Sequence, residues 1–210
     1  MKIKLLIFFL SLIFLFPPIV SAVGKPVPPP SSTKVVVLDP GHGGSDSGAV
    51  YNSLREADVN LDIAFRLKTL LENAGYTVFM TRIDDSTKNN NDRYTFANSV
   101  GGNALVSIHL NASTDHSVNG TQGFWGKKNK DETFTRTVHQ ALASQLGVND
   151  RGVTNFPSGV LLKSNMPSTL QETVFISNDV ENAKLQDGTG NRQQEIAQAL
   201  FQGIDNWFGN

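Results

Sequence analysis

Val35-Val36-Val37-Leu38 is an unbroken apolar run that stops abruptly at Asp39-Pro40-Gly41-His42-Gly43-Gly44. Apolar residues without alternation suit a strand covered on both faces, as in an α/β sheet, and Asp-Pro-Gly continues neither a strand nor a helix. The strand therefore ends at Leu38 or Asp39. In open α/β sheets ligands gather beyond the carboxyl ends of the strands, so His42, set among glycines that permit close approach, is a candidate metal ligand. The plain alternative is a turn histidine with no task, since His is common in loops as well as in metal sites.

The rest of the chain extends this pattern. Ser53-Leu54-Arg55-Glu56 has the spacing of a capping box, and Val59, Ile63, Leu67, Leu70, Leu71 and Ala74 then recur at helical spacing until Gly75. Tyr76 to Thr81 reads as a second strand, followed by Arg82, and the strand-helix-strand order predicts a right-handed crossover with parallel strands. Asp92 to Val100 reads as a short helix, and Ala104 to His109 as a strand that again ends in a histidine. Thr121 to Trp125 is a short strand and Glu132 to Leu146 a helix; Arg151-Gly152-Val153 lies in a loop, and Val160-Leu161-Leu162 is a strand candidate. Leu170 to Ile176 is a stronger strand with Glu172 amid apolar neighbours, Asp179 to Arg192 is turn-rich, and Ile196, Leu200, Ile204 and Trp207 trace a last helix. The expected fold is a single α/β domain with a mostly parallel twisted sheet flanked by helices and a site at the carboxyl ends of the strands.

Composition narrows the chemistry. With 18 basic and 19 acidic side chains the chain has no electrostatic footprint for nucleic acid. It has no cysteine, so any metal must be held by His and carboxylates. At the amino terminus Lys2 and Lys4 precede an apolar run from Leu5 to Phe16, closed by Pro17-Pro18 and by Val20-Ser21-Ala22. The run is shorter than the ~20 residues of a spanning helix, so residues 1–22 read as a secretory signal peptide cleaved after Ala22, not as an anchor. Residues 23–33, with four prolines and Ser31-Ser32, read as an extended linker, and folding is expected to begin near Lys34.

Of the four histidines, His42 and His109 each follow an apolar strand, whereas His116 lies in a polar loop and His139 in a predicted helix, where both read as surface side chains. Two imidazoles and one carboxylate form a common catalytic zinc set. Glu56 is the leading third ligand, with the capping box as its ordinary alternative and Asp46 and Asp58 as competitors. Other chemistries fit poorly. The glycine-rich turn has Asp46 where a dinucleotide fingerprint needs its third glycine and Ala49 where a P-loop needs Lys; no Gly-x-Ser-x-Gly elbow or His-Glu-x-x-His helix occurs.

Asp39-Pro40-Gly41-His42-Gly43-Gly44, Glu56 with Asn60-Leu61, Thr81-Arg82, Ser107-Ile108-His109-Leu110-Asn111-Ala112 and Leu170-x-Glu172-x-x-Phe175-Ile176-Ser177-Asn178 together resemble the zinc-dependent N-acetylmuramoyl-L-alanine amidases of the type 3 family. Each block is weak alone; their order across Lys34 to Phe208 is specific. The resemblance implies a catalytic domain over residues 34–210 and one zinc ion on His42, Glu56 and His109. It also implies Glu172 as the catalytic carboxylate. The implied substrate is peptidoglycan, cut between N-acetylmuramic acid and L-alanine by a secreted or periplasmic, wall-associated monomer with no stable membrane insertion after processing. Arg82, Arg93 and Asn111 are candidate substrate contacts, and ion pairs to Asp84, Asp85 or Asp92 are the structural alternative for the two arginines. The rival functions are another exported zinc hydrolase of peptidoglycan, such as a carboxypeptidase or deacetylase, and a wall-binding protein without turnover. One departure from the family pattern is Val174, where a glycine usually stands two residues after the catalytic Glu; it raises the expectation of altered backbone geometry or substrate approach there.

Overall fold

The computed structural model describes residues 34–209, so the expectations for the secretory segment and the Pro-rich linker lie outside the described residues. In chain order the elements are β1 (Val35–Pro40), a small hairpin of β2 (Val50–Tyr51) and β3 (Leu54–Arg55), α1 (Glu56–Asn73), β4 (Thr77–Met80), α2 (Asn90–Ser99) and β5 (Ala104–Asn111). They continue with β6 (Thr121–Trp125), α3 (Lys128–Gln145), β7 (Asp150–Asn155), α4 (Gly159–Lys163), β8 (Ser168–Phe175), α5 (Asp179–Leu185) and α6 (Asn191–Phe208).

The main sheet has six strands in the order β4-β1-β5-β8-β6-β7. Strands β4, β1, β5 and β8 run parallel, β6 runs antiparallel to β8, and β7 is parallel to β6. The mostly parallel sheet expected from the sequence is therefore present, with its inner strands apolar because both faces are covered. On one face Val36, Leu38, Val106 and Ile108 pack with Ile63 and Leu67 of α1, Phe134 and Val138 of α3, and Ile196 and Leu200 of α6. On the other, Val37 and Leu105 pack with Ala97 of α2, Val160 of α4 and Met166. Fully burying one such side chain stabilises the fold by ~1.5–3 kcal/mol. No helix among the described residues is long and apolar enough to cross a membrane.

Side-chain alternation then decides what the ends of the strands present. Asp39 follows Val37, and Ser107 and His109 follow Leu105, so all three belong to the face that carries α2 and α4. In β8 the pairing runs His109 with Glu172 and then Asn111 with Phe175, a register shift that breaks the alternation just after Glu172. Leu170 accordingly faces the α2 and α4 side, whereas Val174 is fully buried among the helices of the opposite face. The valine in place of glycine is a core residue.

Several local expectations are corrected. Ser53 does not cap α1: it and Asn52 form the positive-φ tip of the β2–β3 hairpin, the N-cap position is Arg55, and Glu56 is the first helical residue. Val160-Leu161-Leu162 is not a strand but part of α4, because Ser158 accepts a hydrogen bond from Leu161 N and starts a helical turn in which Val160 and Leu161 are buried. Arg151-Gly152-Val153 belongs to β7, an edge strand whose exposed, polar composition hides its pairing with β6. A helix of about two turns, α5, occupies part of the turn-rich stretch, capped by Asn178.

Candidate metal centre

Three side chains from separated parts of the chain converge at the carboxyl ends of β1 and β5. His42 sits in the turn after β1 with φ at 60°, a left-handed conformation held by the Gly43–Asp46 backbone pairing. Glu56 opens α1, and His109 lies in β5. The His42 Nε2 lies 3.2 Å and the His109 Nδ1 3.1 Å from the same oxygen, Glu56 Oε1. The rings meet edge to face at 4.8 Å between centroids. One potential ligand atom from each of the three residues falls within 4.8 Å of the others.

Close approach requires glycine at two places. A Cβ at Gly41 would run into the His109 ring, and Gly48 (φ 62°) lies where a Cβ would press on Glu56 Oε2 and the His42 ring.

The supporting contacts fix each group. His42 Nδ1 donates to Asp46 Oδ2 at 2.9 Å, which leaves Nε2 turned toward Glu56. Asp46, a competing ligand on sequence grounds, instead orients the His42 ring, while Asp58 pairs with Arg55. Glu56 Oε1 accepts from Leu110 N at 3.1 Å and Asn60 Nδ2 at 3.3 Å, and Oε2 accepts from Ala49 N at 2.9 Å. These bonds replace the capping-box role, and the amino end of α1 favours the negative charge. Burial alone would raise the Glu56 carboxyl, but the hydrogen bonds and charges of His109 and His42 carry it well below the usual carboxylate range. Reciprocally, the hydrogen bond to Glu56 outweighs desolvation and lifts His42 to about 9, so in the absence of a metal a proton supplies part of the positive charge this donor set attracts.

Glu172 stands beside this cluster, in register with His109 on the neighbouring strand. Its Oε2 is out of contact with solvent and has no hydrogen-bond partner among the described residues. Burial pushes the carboxyl up to about 7; the charges of His109 and His42 oppose this and that of Glu56 adds to it.

The cleft in front of the centre has a volume of about 570 Å³ and runs between the turn after β1, the start of α2 and the Phe156–Val160 segment. Arg82 and Arg93 hold that turn together. Arg82 donates to the carbonyls of Pro40, Gly41, Ala57 and Asp84, and Arg93 to those of Pro40, His42 and Lys88 and to the Asp39 carboxylate. Among the described residues neither arginine pairs with the side chains of Asp84, Asp85 or Asp92, which corrects the ion-pair expectation: most of their donors are committed to backbone carbonyls, and Arg93 also reaches Asp39. Asn111 closes β5, with its Oδ1 accepting from Ala112 N at 2.8 Å. His116 is exposed and stacked on Tyr51, as its polar loop suggests. His139 is not a surface residue: it is 4% exposed on α3, with Nε2 hydrogen-bonded to Asp150 Oδ1 at 2.7 Å.

Sequence reasoning missed the carboxylate support from Ala49 N and Leu110 N, which carry no side-chain signal, and the aromatic Phe156 at the cleft. Asn60 was visible only as part of the Glu56 block.

Residues 36–206 match the family described as N-acetylmuramoyl-L-alanine amidase. The chain is 33% identical to N-acetylmuramoyl-L-alanine amidase LytC of Bacillus subtilis over 91% of its own length, yet spans only 39% of LytC. It is 32% identical to the germination-specific N-acetylmuramoyl-L-alanine amidase of the same organism, covering 88% of this chain and 84% of that protein. The solved catalytic domain of CwlV, an N-acetylmuramoyl-L-alanine amidase from Bacillus (Paenibacillus) polymyxa var. colistinus, superposes with a TM-score of 0.78 at 33% identity, covering 84% of this chain and 98% of that domain. A profile match across most of the chain, together with the shared fold, leads to one assignment: the chain belongs to the N-acetylmuramoyl-L-alanine amidases, a family of peptidoglycan hydrolases.

Proposed function

We propose that this protein is an exported, wall-associated enzyme that hydrolyses the amide between the lactyl group of N-acetylmuramic acid and L-alanine of the stem peptide, with one zinc ion held by His42, Glu56 and His109. The observation that carries the reading is the convergence of two imidazoles and one depressed carboxylate beside a buried carboxyl oxygen, Glu172 Oε2, that has no partner. The donor set fits zinc: nitrogen and oxygen donors only, three protein ligands, and a neighbouring open cleft. Bound there, zinc would supply a Lewis acid for the scissile carbonyl and lower the pKa of a water toward 7.

The remaining work falls to the chain. Asp46 keeps the proton of His42 on Nδ1, so that Nε2 presents a lone pair. Glu172, held near neutrality by burial, accepts a proton from the attacking water and returns it to the alanine nitrogen as that nitrogen departs. Such proton transfer contributes typically about 10²- to 10⁴-fold. The carbonyls tied down by Arg82 and Arg93 keep the His42 turn rigid, and Asn111 at the end of β5 is a further contact for the stem peptide. Residues 1–22 act as a cleaved signal, 23–33 as a linker, and the mature enzyme works as a monomer.

The test is digestion of purified peptidoglycan with and without chelator, with fragments identified by mass. Stem peptides beginning with L-alanine, lost on chelation and restored by zinc, are expected. Release of a single terminal residue, or of acetate, would replace the reading with a carboxypeptidase or a deacetylase, and binding without any release would leave a wall-binding protein.

A further inference from the structure

Large exposed apolar side chains occur at several places on the described surface, but only Phe156 among them also lines the cleft shared by His42 and His109. It is 48% exposed. Its backbone is nevertheless fixed. Phe156 N donates to Trp125 O at 2.9 Å and Ser158 N donates to Phe156 O at 2.8 Å, while Asn155 Nδ2 donates to Trp125 O at 3.0 Å. The ring leans on Phe124 at 5.4 Å between centroids. A half-exposed aromatic ring on a segment whose backbone is pinned is a preformed contact surface, held in place before anything binds.

The cleft is two-sided in chemistry. Phe156, Pro157, Val160 and Leu170 give it apolar surface, whereas Asp39, Asp46, Lys88, Asn89, Asn90 and Arg93 give it polar and charged surface. A muramoyl peptide is divided in the same way. Its stem peptide carries carboxylates and amides that require polar partners, and its pyranose ring has a face made of C–H bonds. That face carries partial positive charge on its hydrogens and suits the negative face of an aromatic ring, with the weak C–H contacts adding to apolar burial.

We propose that Phe156 is a positioning residue for the muramic acid ring: the carbon face of the sugar stacks on its side chain and thereby aligns the lactyl carbonyl with the centre. This inference rests on the amidase reading and adds the subsite that would make the sugar, and not the peptide alone, a specificity determinant.

Two synthetic substrates with the same tripeptide, one N-acetylmuramoyl and one lactoyl without the sugar, measure this as the ratio of their kcat/KM values. The expected ratio favours the muramoyl substrate in the unaltered protein and falls roughly 5- to 10-fold in Phe156→Ala, mainly through a higher KM on the muramoyl substrate. Phe156→Trp should restore it and Phe156→Leu, which keeps apolar bulk without a π face, should not. An unchanged ratio in Phe156→Ala overturns the proposal. A ratio fully kept by Phe156→Leu overturns stacking. Because the ratio is internal to each variant, a general loss of folded protein does not imitate the effect. If the unaltered protein cuts neither substrate at the lactyl amide, the amidase reading fails first and takes this inference with it, a result recognisable without any variant.

Discussion

Asp39 and Glu172 are both acids on inner strands of one sheet, facing the same side, yet the structure treats them in opposite ways. Asp39 is 1% exposed and its oxygens accept from Thr81 Oγ1 at 2.6 Å, Ser107 Oγ at 2.7 Å and Arg93 at 2.8 Å. Burial would raise its pKa, but the Arg93 charge and these hydrogen bonds outweigh it and hold the carboxyl below the usual range. Glu172 is only partly exposed, with Oε2 out of contact with solvent and without a donor among the described residues, and burial pushes the carboxyl up to about 7. Burial with partners makes a permanent anion that ties β1, β5, β4 and α2 together; burial without them makes a group able to exchange a proton near neutrality.

The largest expected effect comes from breaking the satisfied acid. Asp39→Ala leaves Arg93 buried without its counter-charge, which should cost roughly 3–5 kcal/mol of stability in urea denaturation. A loss under about 1 kcal/mol would show that the anion is not structural.

The matching change at the unsatisfied acid should not lower stability, and it should remove chemistry. Glu172→Gln keeps volume and hydrogen-bonding reach but cannot accept a proton, so turnover should fall at least about 10²-fold with zinc content near that of the unaltered protein. Lost zinc would make Glu172 a ligand, and retained turnover would move the base elsewhere. For contrast, His42→Ala and His109→Ala should lose metal and activity together, as measured by metal analysis of the purified variants.

The two acids also predict pH dependences of opposite sign in metal-free protein. Asp39 has a folded pKa below its ordinary 3.8, so its stabilisation is present above about pH 4 and is lost as pH falls further. Glu172 has a folded pKa of about 7 against an ordinary 4.5, so the folded state keeps a proton that the unfolded state gives up, and stability declines as pH rises from about 4.5 to about 7. The stability difference between Glu172→Gln and the unaltered protein should therefore grow across that window, by roughly 1–3 kcal/mol. A flat difference would remove the contrast.

The smallest effects belong to the two histidines away from the centre. His139→Ala should cost about 1–2 kcal/mol because the ring is buried and bonded to Asp150, whereas His116→Ala, exposed, should stay within about 0.5 kcal/mol. Both should retain zinc; loss of metal from either would extend the centre beyond His42, Glu56 and His109.

Much of this was readable from sequence because it depends on local chemistry. Apolar runs that end at Asp39-Pro40 and at His109 announce inner parallel strands, and the Val59 to Leu71 periodicity announces α1, since strand and helix periods follow from backbone geometry alone. His42 and His109 stood out for the same reason, as they lie at strand ends, where an α/β sheet presents its site, whereas Glu56 was singled out from its competitors only through the family resemblance. What tertiary structure decided are the matters that depend on partners distant in the chain. Ser53 and Glu56 have capping-box spacing, yet Leu110 N and Ala49 N compete for the Glu56 carboxylate and win. Val160 to Leu162 is apolar enough for a strand, but a single cap from Ser158 and the space beneath α2 make it helical. Arg82 and Arg93 offer charge to any carboxylate on paper, and only the folded turn supplies the carbonyls that occupy them. Asp39 and Glu172 are chemically alike in sequence; a guanidinium 54 residues away reaches one and no donor reaches the other, because long-range packing, unlike local periodicity, is not written in neighbouring residues.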